Sequence, residues 1–484
     1  MPPRPVPAPH TTAERPMTIT AAKPIHRLDV SELRAAYRAR ALSPVEVTRH
    51  YLERIERLNP TLNAYYTVTG ESAMRQARAA ERAFARDAAD SPLLGIPIGL
   101  KDLFDTRGVR TTYGTGWRRD AVPTRDADVV HNLKAAGAVV LGKQALLEFA
   151  MGGVDVNAHY GVTPNPWTLR HFAGGSSTGS GVATAADLGV ISIGTDTGGS
   201  VRQPASYCGV SGLKPSNGLT SLRGVFPVSP TCDTVGPLAR SALDVAHGLD
   251  GLTGGAHGFA KAVLDDDATL RGLRVGIPRS WMAAHAHPEV ATAVEEAVAL
   301  MAAHGAVVRE TPMAYTEGVL DAYRDIVFYE AARAHRKFWP RHRDDYGPHV
   351  RARIDDGMRL TAGANAVAVE AVKRMLQQAT DAMRDLDVIA LPMQPTTAPE
   401  LGQREVKIGD ELFTTVAIRG RFANVINLIG WPGLSVPAGF GADGLPIGMQ
   451  IVAPWGGDAL VLRAGHAYQR ITDWHLRRPP IADQ

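Results

Sequence analysis

The apolar runs GIPIGLKD, AVVLGKQ, VISIG (190–194), LRVGIP (273–278) and DVIALP (387–392) recur along this chain, with helix-patterned stretches between them. Each run is short, and glycine or proline interrupts several, as in buried strands. Strands alternating with helices define an α/β fold, a sheet covered by helices. The stretches DVSELRAAYRARAL and SPVEVTRHYLERIERLN space their apolar residues three and four apart. Ser43 is placed to cap the second helix, with Pro44 at its first position and Glu46 completing a capping box. Residues 72–90 read as a helix rich in alanine and arginine, and residues 315–386 as a polar, amphipathic helical insertion or cap on the sheet. With no internal repeat and no low-complexity linker, the expected organisation is a flexible tail over 1–24 and one domain over 25–484.

Composition narrows the function. Hydrophobic residues make up 45% of the 484 and charged residues 21%, enough for a large core. A net charge of +3 spread over this length, with no basic run, does not point to nucleic acid. Cys208 and Cys232 form neither a disulfide framework nor a CxxC metal site, so no metal and no cofactor is expected. No apolar stretch reaches the roughly 18 residues of a membrane helix, and MPPRPVPAPHTTAERP lacks the apolar centre of a secretory signal. A cytoplasmic protein without a membrane partner is expected.

Several short motifs match known chemistry and fail on context. Gly175-Ser-Ser-Thr-Gly179 has the nucleophile-elbow spacing, but PNPWTLRHFAG before it reads as a loop where the elbow needs a strand. Ser211-Gly-Leu-Lys214 fits S-x-x-K, but its S-D-N and K-T-G companions are missing. Gly174 and Gly179 have the spacing of a phosphate loop, yet Ser180 stands where that loop needs lysine. What sets this chain apart is three features together: FAGGSSTGSG, then TDTGGS directly after the strand VISIG, and Lys101 at the end of an apolar strand. A buried lysine is either paired with a carboxylate, here Asp102, or held neutral for catalysis.

On these residues the chain resembles the amidase signature family. GGSSTGSG, GTDTGGSVRQPASYCGVSGLKP and the lysine of GIPIGLKD stand in the family's order. LSPVEVTRHYLERIERLNPTLNAY, LGKQALLEFAMG and GWPGLSVPAGFGADGLPIGMQIVAP extend the likeness over nearly the whole chain. The resemblance implies a large mixed central β-sheet sandwiched by α-helices, with the catalytic core over about 90–240 and the cap-like segment over about 315–386. It also implies a Ser–Ser–Lys triad: Ser200 as nucleophile, Ser176 as the bridging serine after a cis peptide bond, and Lys101 as the terminal base. A neutral lysine drawing a proton from Ser176, and Ser176 from Ser200, would activate the weak hydroxyl nucleophile. Backbone N–H groups of Thr197, Gly198, Gly199 and Ser200 would then form an oxyanion hole. Met151 and Gly152 would line the acyl side of the pocket, whereas Arg202 and Ser177 read as structural groups. Ala173 and Thr178 depart from the family's usual proline and glycine around GGSS, and GKQALLEFA departs from the usual threonine and asparagine, which puts substrate preference in doubt.

The expected activity is hydrolysis of an amide, with anilides, esters and carbamates reachable by the same acyl transfer, in a monomer or homodimer acting on a small molecule. Two readings stand beside it. One is the glutaminase subunit of a tRNA-dependent amidotransferase, set against by SNGLTSLRGVFPVSPTCDTVGP after the nucleophile. The other is a non-catalytic binding protein, which would not need Lys101, Ser176 and Ser200 together. FYEAARAHRKFW, LTAGANAVAVE and PMQPTTAPELG are the expected borders of a roomy, apolar cavity.

Overall fold

The protein is described here by a computed structural model covering residues 23–86, 91–151, 156–265 and 269–484. Its strands, in chain order, are β1 (Tyr65–Val68), β2 (Pro97–Lys101), β3 (Val139–Gln144), β4 (Pro164–Asn165), β5 (Thr168–Phe172), β6 (Ile191–Asp196), β7 (Ser211–Lys214) and β8 (Thr234–Ala239). There follow β9 (Arg274–Ile277), β10 (Val307–Glu310), β11 (Val388–Pro392), β12 (Glu405–Ile408), β13 (Glu411–Thr414), β14 (Gly433–Phe440) and β15 (Pro446–Val452). Eleven of them form one mixed sheet in the order β1-β3-β2-β6-β8-β7-β14-β15-β11-β9-β10. β3, β2 and β6 are parallel neighbours, as are β11, β9 and β10, while β6-β8-β7-β14-β15 run antiparallel. Every residue of β2, β3, β6, β8 and β11 is buried, which accounts for their unbroken apolar runs: helices cover both faces.

The helices Thr178–Ala185, Arg202–Cys208, Ala242–Leu252, Pro288–Ala303 and Asp458–Gln469 pack on this sheet. A second apolar core joins the helical segment to the loops after β2 and β3, with Tyr113, Phe149, Ile326, Tyr346, Ile354 and Ile426 among its members. The helices Val319–His335, Pro348–Arg359 and Ala362–Ala382 thus stand over the sheet as a separate layer. Among the described residues no helix is long and apolar enough to cross a membrane.

Two local expectations change. The capping box at Ser43 does not form: its hydroxyl accepts from Val45 N at 3.0 Å and donates to Glu81 of the neighbouring helix. The box that does form joins Asp29 and Glu32, one helix earlier. The stretch before GGSS is also no loop, since β4 and β5 make a small antiparallel hairpin there. Asn165 starts its turn by accepting from Trp167 N.

Candidate active site

Parallel pairing of β2 with β6, Leu100 opposite Ile193, brings the ends of both strands to the same edge of the sheet. Ligands bind in α/β sheets outside the carboxyl ends of such strands. There Lys101, the serine loop 173–177 and the loop 197–201 meet. Lys101 is wholly buried, and its Nζ lies 2.8 Å from Ser176 Oγ and 2.8 Å from Thr195 Oγ1. Burial lowers the lysine to about 7, while the carboxylates of Asp196 and Asp233 act in the opposite sense. The Gly175–Ser176 peptide bond is cis.

The expected Lys101–Asp102 pairing is absent, because consecutive residues leave a strand on opposite faces. Asp102 instead pairs with Lys143 at 3.1 Å and accepts from Thr112 N and Oγ1.

A buried network holds the loop after β6. Asp196 takes Arg202 through both carboxylate oxygens at 3.1 Å, and Asn427 through Oδ1 at 2.8 Å. These partners hold its carboxyl well below the usual range, against the push of burial. The same carboxylate accepts from the backbone N–H groups of Gly199, Val201 and Arg202. Arg202 is therefore an internal anchor, as the sequence suggested. Of the four amides expected to hold an oxyanion, that of Gly199 is already given to Asp196 at 2.7 Å. Gly199 bends the loop with φ +106°, which only glycine adopts readily. Thr197 donates its hydroxyl to Asp233 at 2.5 Å, and Asp233 also accepts from Val228 N and Ser229 N. Ser177 Oγ bridges the backbone of Thr195, a structural bond.

Ser176, Ser200, Thr197 and Gly198 face a cavity of about 300 Å³. Among the described residues the two serine hydroxyls make no hydrogen bond with each other; such contacts tighten in many hydrolases only once substrate is bound. Met151 lines the cavity, while Gly152 lies outside the described residues. Leu147, Gln203 and Val228 also line it, and further wall comes from far along the chain: Tyr323, Val327 and Phe328 from one helix, Arg353 from another, and Arg419 and Asn424 from Thr415–Leu428. A Cβ at Gly198 would stand 2.3 Å from the Tyr323 hydroxyl, so the close approach of this helix requires glycine there. Phe328, in FYEAARAHRKFW, does border the cavity; no residue of LTAGANAVAVE or PMQPTTAPELG does. Nothing in the sequence marked Arg353, in the amphipathic helix Pro348–Arg359, or Arg419, in the largely buried helix Thr415–Leu428. Among the described residues no cluster of His, Cys, Asp and Glu could hold a metal ion.

The family model named Amidase matches residues 46–462, and the chain belongs to that family. It is 37% identical to a Glutamyl-tRNA(Gln) amidotransferase subunit from Acinetobacter baumannii (strain AB0057), over 95% of this chain and 99% of that one. Among solved structures it resembles an amidase (TM-score 0.84, 32% identity, 92% and 99% coverage) and a 6-aminohexanoate cyclic dimer hydrolase (TM-score 0.84, 28% identity, 94% and 99% coverage). The chain is accordingly an enzyme that acts on carbon–nitrogen bonds other than peptide bonds.

Proposed function

We propose that this protein hydrolyses the amide bond of a small molecule through an acyl-enzyme on Ser200, with Ser176 and Lys101 as its proton relay. The observation that carries the reading is the buried Lys101 ammonium site, 2.8 Å from Ser176 and held near neutrality by its surroundings. Ser200 Oγ attacks the carbonyl carbon as its proton passes to Ser176 Oγ and that of Ser176 passes to Lys101 Nζ. Collapse of the tetrahedral intermediate breaks the C–N bond, and the relay returns a proton to the departing amine. Water then attacks the ester by the same route and frees Ser200. The amides of Thr197, Gly198 and Ser200 would hold the oxyanion, each worth about 3–4 kcal/mol at the transition state. Anilides, esters and carbamates present the same acyl centre. On this reading residues 25–484 act as one unit, with the helices of 315–386 covering the cavity.

A second reading rests on the relatives at 37% identity: a glutaminase that releases ammonia for an amidotransferase. It requires partner chains, whereas hydrolysis of a free amide requires none beyond, at most, a second copy.

A panel of nitroanilides, nitrophenyl esters and nitrophenyl carbamates, run on wild type and Ser200→Ala, tests the first reading. Turnover by wild type alone, with an acyl adduct on Ser200 by mass spectrometry, is the expected result. Unchanged turnover in Ser200→Ala would remove Ser200 from the chemistry. Activity confined to glutamine, appearing only with co-purified partners, would favour the second reading.

A further inference from the structure

The helix Val319–His335 does more than supply Tyr323, Val327 and Phe328 to the cavity wall. One turn beyond Val327, on the same face, it carries Glu330. A carboxylate on a helix face ordinarily stays in water. Glu330 instead takes three donors from one loop. Ser229 Oγ–H at 2.5 Å and Thr231 N–H at 3.1 Å reach its Oε2, and Thr231 Oγ1–H at 2.5 Å reaches Oε1. That loop is a tight turn, since Ser229 O accepts from both Cys232 N and Asp233 N. Asp233 holds its inner side: Oδ2 accepts from Val228 N at 2.9 Å and Ser229 N at 3.0 Å, and Oδ1 takes the Thr197 hydroxyl. A chain of hydrogen bonds thus runs from Glu330 through Ser229 and Asp233 to Thr197. It joins the helical layer to the loop after β6, and both Val228 and Thr197 line the cavity.

We infer that Glu330 is a positioning residue for the hydrolysis: by clamping the turn 228–233 it fixes Asp233 and, through Asp233, the Thr197 amide that holds the oxyanion. This rests on the acyl-enzyme reading above and adds a residue that lies outside its relay. The physical case is preorganisation. An oxyanion donor has its full effect only when it is aimed before the charge develops. Thr197 is followed by two glycines, so the freedom of this backbone has to be removed from outside. Asp196 does so from Gly199 onward, and Asp233 does so at Thr197. Glu330 in turn decides where Asp233 stands. All three of its donors are neutral, so the role is one of geometry. A glutamine could fill it: its carbonyl would accept from Ser229 and Thr231 N, and its amide would donate to a turned Thr231 hydroxyl.

The test uses the panel substrate that wild type turns over best. It compares kcat and KM for Glu330→Ala, Glu330→Gln, Ser229→Ala and the double variant Glu330→Ala/Ser229→Ala. Each kcat is taken per folded molecule, from the thermal melt of the same preparation. Glu330→Ala is expected to lose about tenfold in kcat with KM within about twofold, since a small misplacement remote from the chemistry acts on the rate. Glu330→Gln should stay within about threefold of wild type. Ser229→Ala should also lose kcat, and the double variant no more than Glu330→Ala alone, because both changes cut one chain. Wild-type kcat in Glu330→Ala, a loss confined to KM, or single losses that multiply in the double variant would overturn the inference and leave the acyl-enzyme reading intact. Equal losses in the Ala and Gln variants would overturn it in favour of a role for the charge. A wild type inert on the whole panel, or unchanged turnover in Ser200→Ala, would overturn both.

Discussion

Lys101 and Lys143 are a matched pair with different fates. They sit on adjacent parallel strands, both wholly buried, and burial lowers both. The register sets Lys101 opposite Gln144 and Lys143 opposite Leu100, so the two side chains leave the sheet on opposite faces. Lys143 meets Asp102 at 3.1 Å, with Phe104 O and Thr111 Oγ1 as further acceptors. Among the described residues Lys101 meets hydroxyls, those of Ser176 and Thr195. An adjacent carboxylate favours the charged form of a buried lysine, against the pull of burial, and suits Lys143 to a structural strut. Hydroxyl partners leave the proton exchangeable, which is what a base needs.

The comparison can be broken at several points. The largest effect is expected from Ser200→Ala, a loss in kcat on the order of 10⁴ or more, since removing a nucleophile removes the covalent route. A loss below tenfold in the nitroanilide assay would disprove the covalent role. Lys101→Met should cost on the order of 10³ in kcat with a native circular dichroism spectrum and melting temperature. Lys143→Met should do the reverse. Leaving Asp102 buried and unpaired costs about 3–5 kcal/mol of stability, read as a lower urea midpoint, while the folded fraction keeps its specific activity. If Lys143→Met proved stable but inactive, the division between strut and base would fail.

Titration supplies the next test. Lys101 works as a base only when neutral, so kcat/KM should fall about tenfold per pH unit below about 7 and level off above it. A profile flat down to pH 5 would exclude a lysine base with that value. Asp233→Asn should have the smallest effect. The Asp233 carboxylate raises Lys101, so its removal lowers Lys101 further and moves the acid limb to lower pH. Burial holds Asp233 itself near 6, so the variant and wild type should converge below that pH. A limb that moved upward would contradict the electrostatic account.

The sequence was most legible where chemistry and backbone coincide. GIPIGLK, GGSSTGSG and GTDTGGS are short strings, each tied to a strand end or helix start, and their likeness to the family's motifs is what singled out Lys101, Ser176 and Ser200. The continuous apolar strands likewise announced a sheet covered on both faces. Ser43 shows the limit of local rules. Its capping pattern was present, but Glu81 of the next helix offered the hydroxyl a partner, and tertiary contact overrode the box. Asp102 shows it again: adjacency in sequence suggested a partner for Lys101, and the strand's alternation assigned it to Lys143.

The sequence by itself determined the α/β class, because that depends on the periodicity of its apolar runs, and the likeness of its motifs to the amidase signature family singled out the residues of the proposed relay. Only the tertiary structure decided what the relay faces. Arg353, Arg419 and Tyr323 belong to separate helices, and the pattern of a helix does not say which neighbour it packs against. Their convergence above Ser200 follows from how the second core packs those helices on the sheet, and packing between distant segments leaves no periodic trace along a chain.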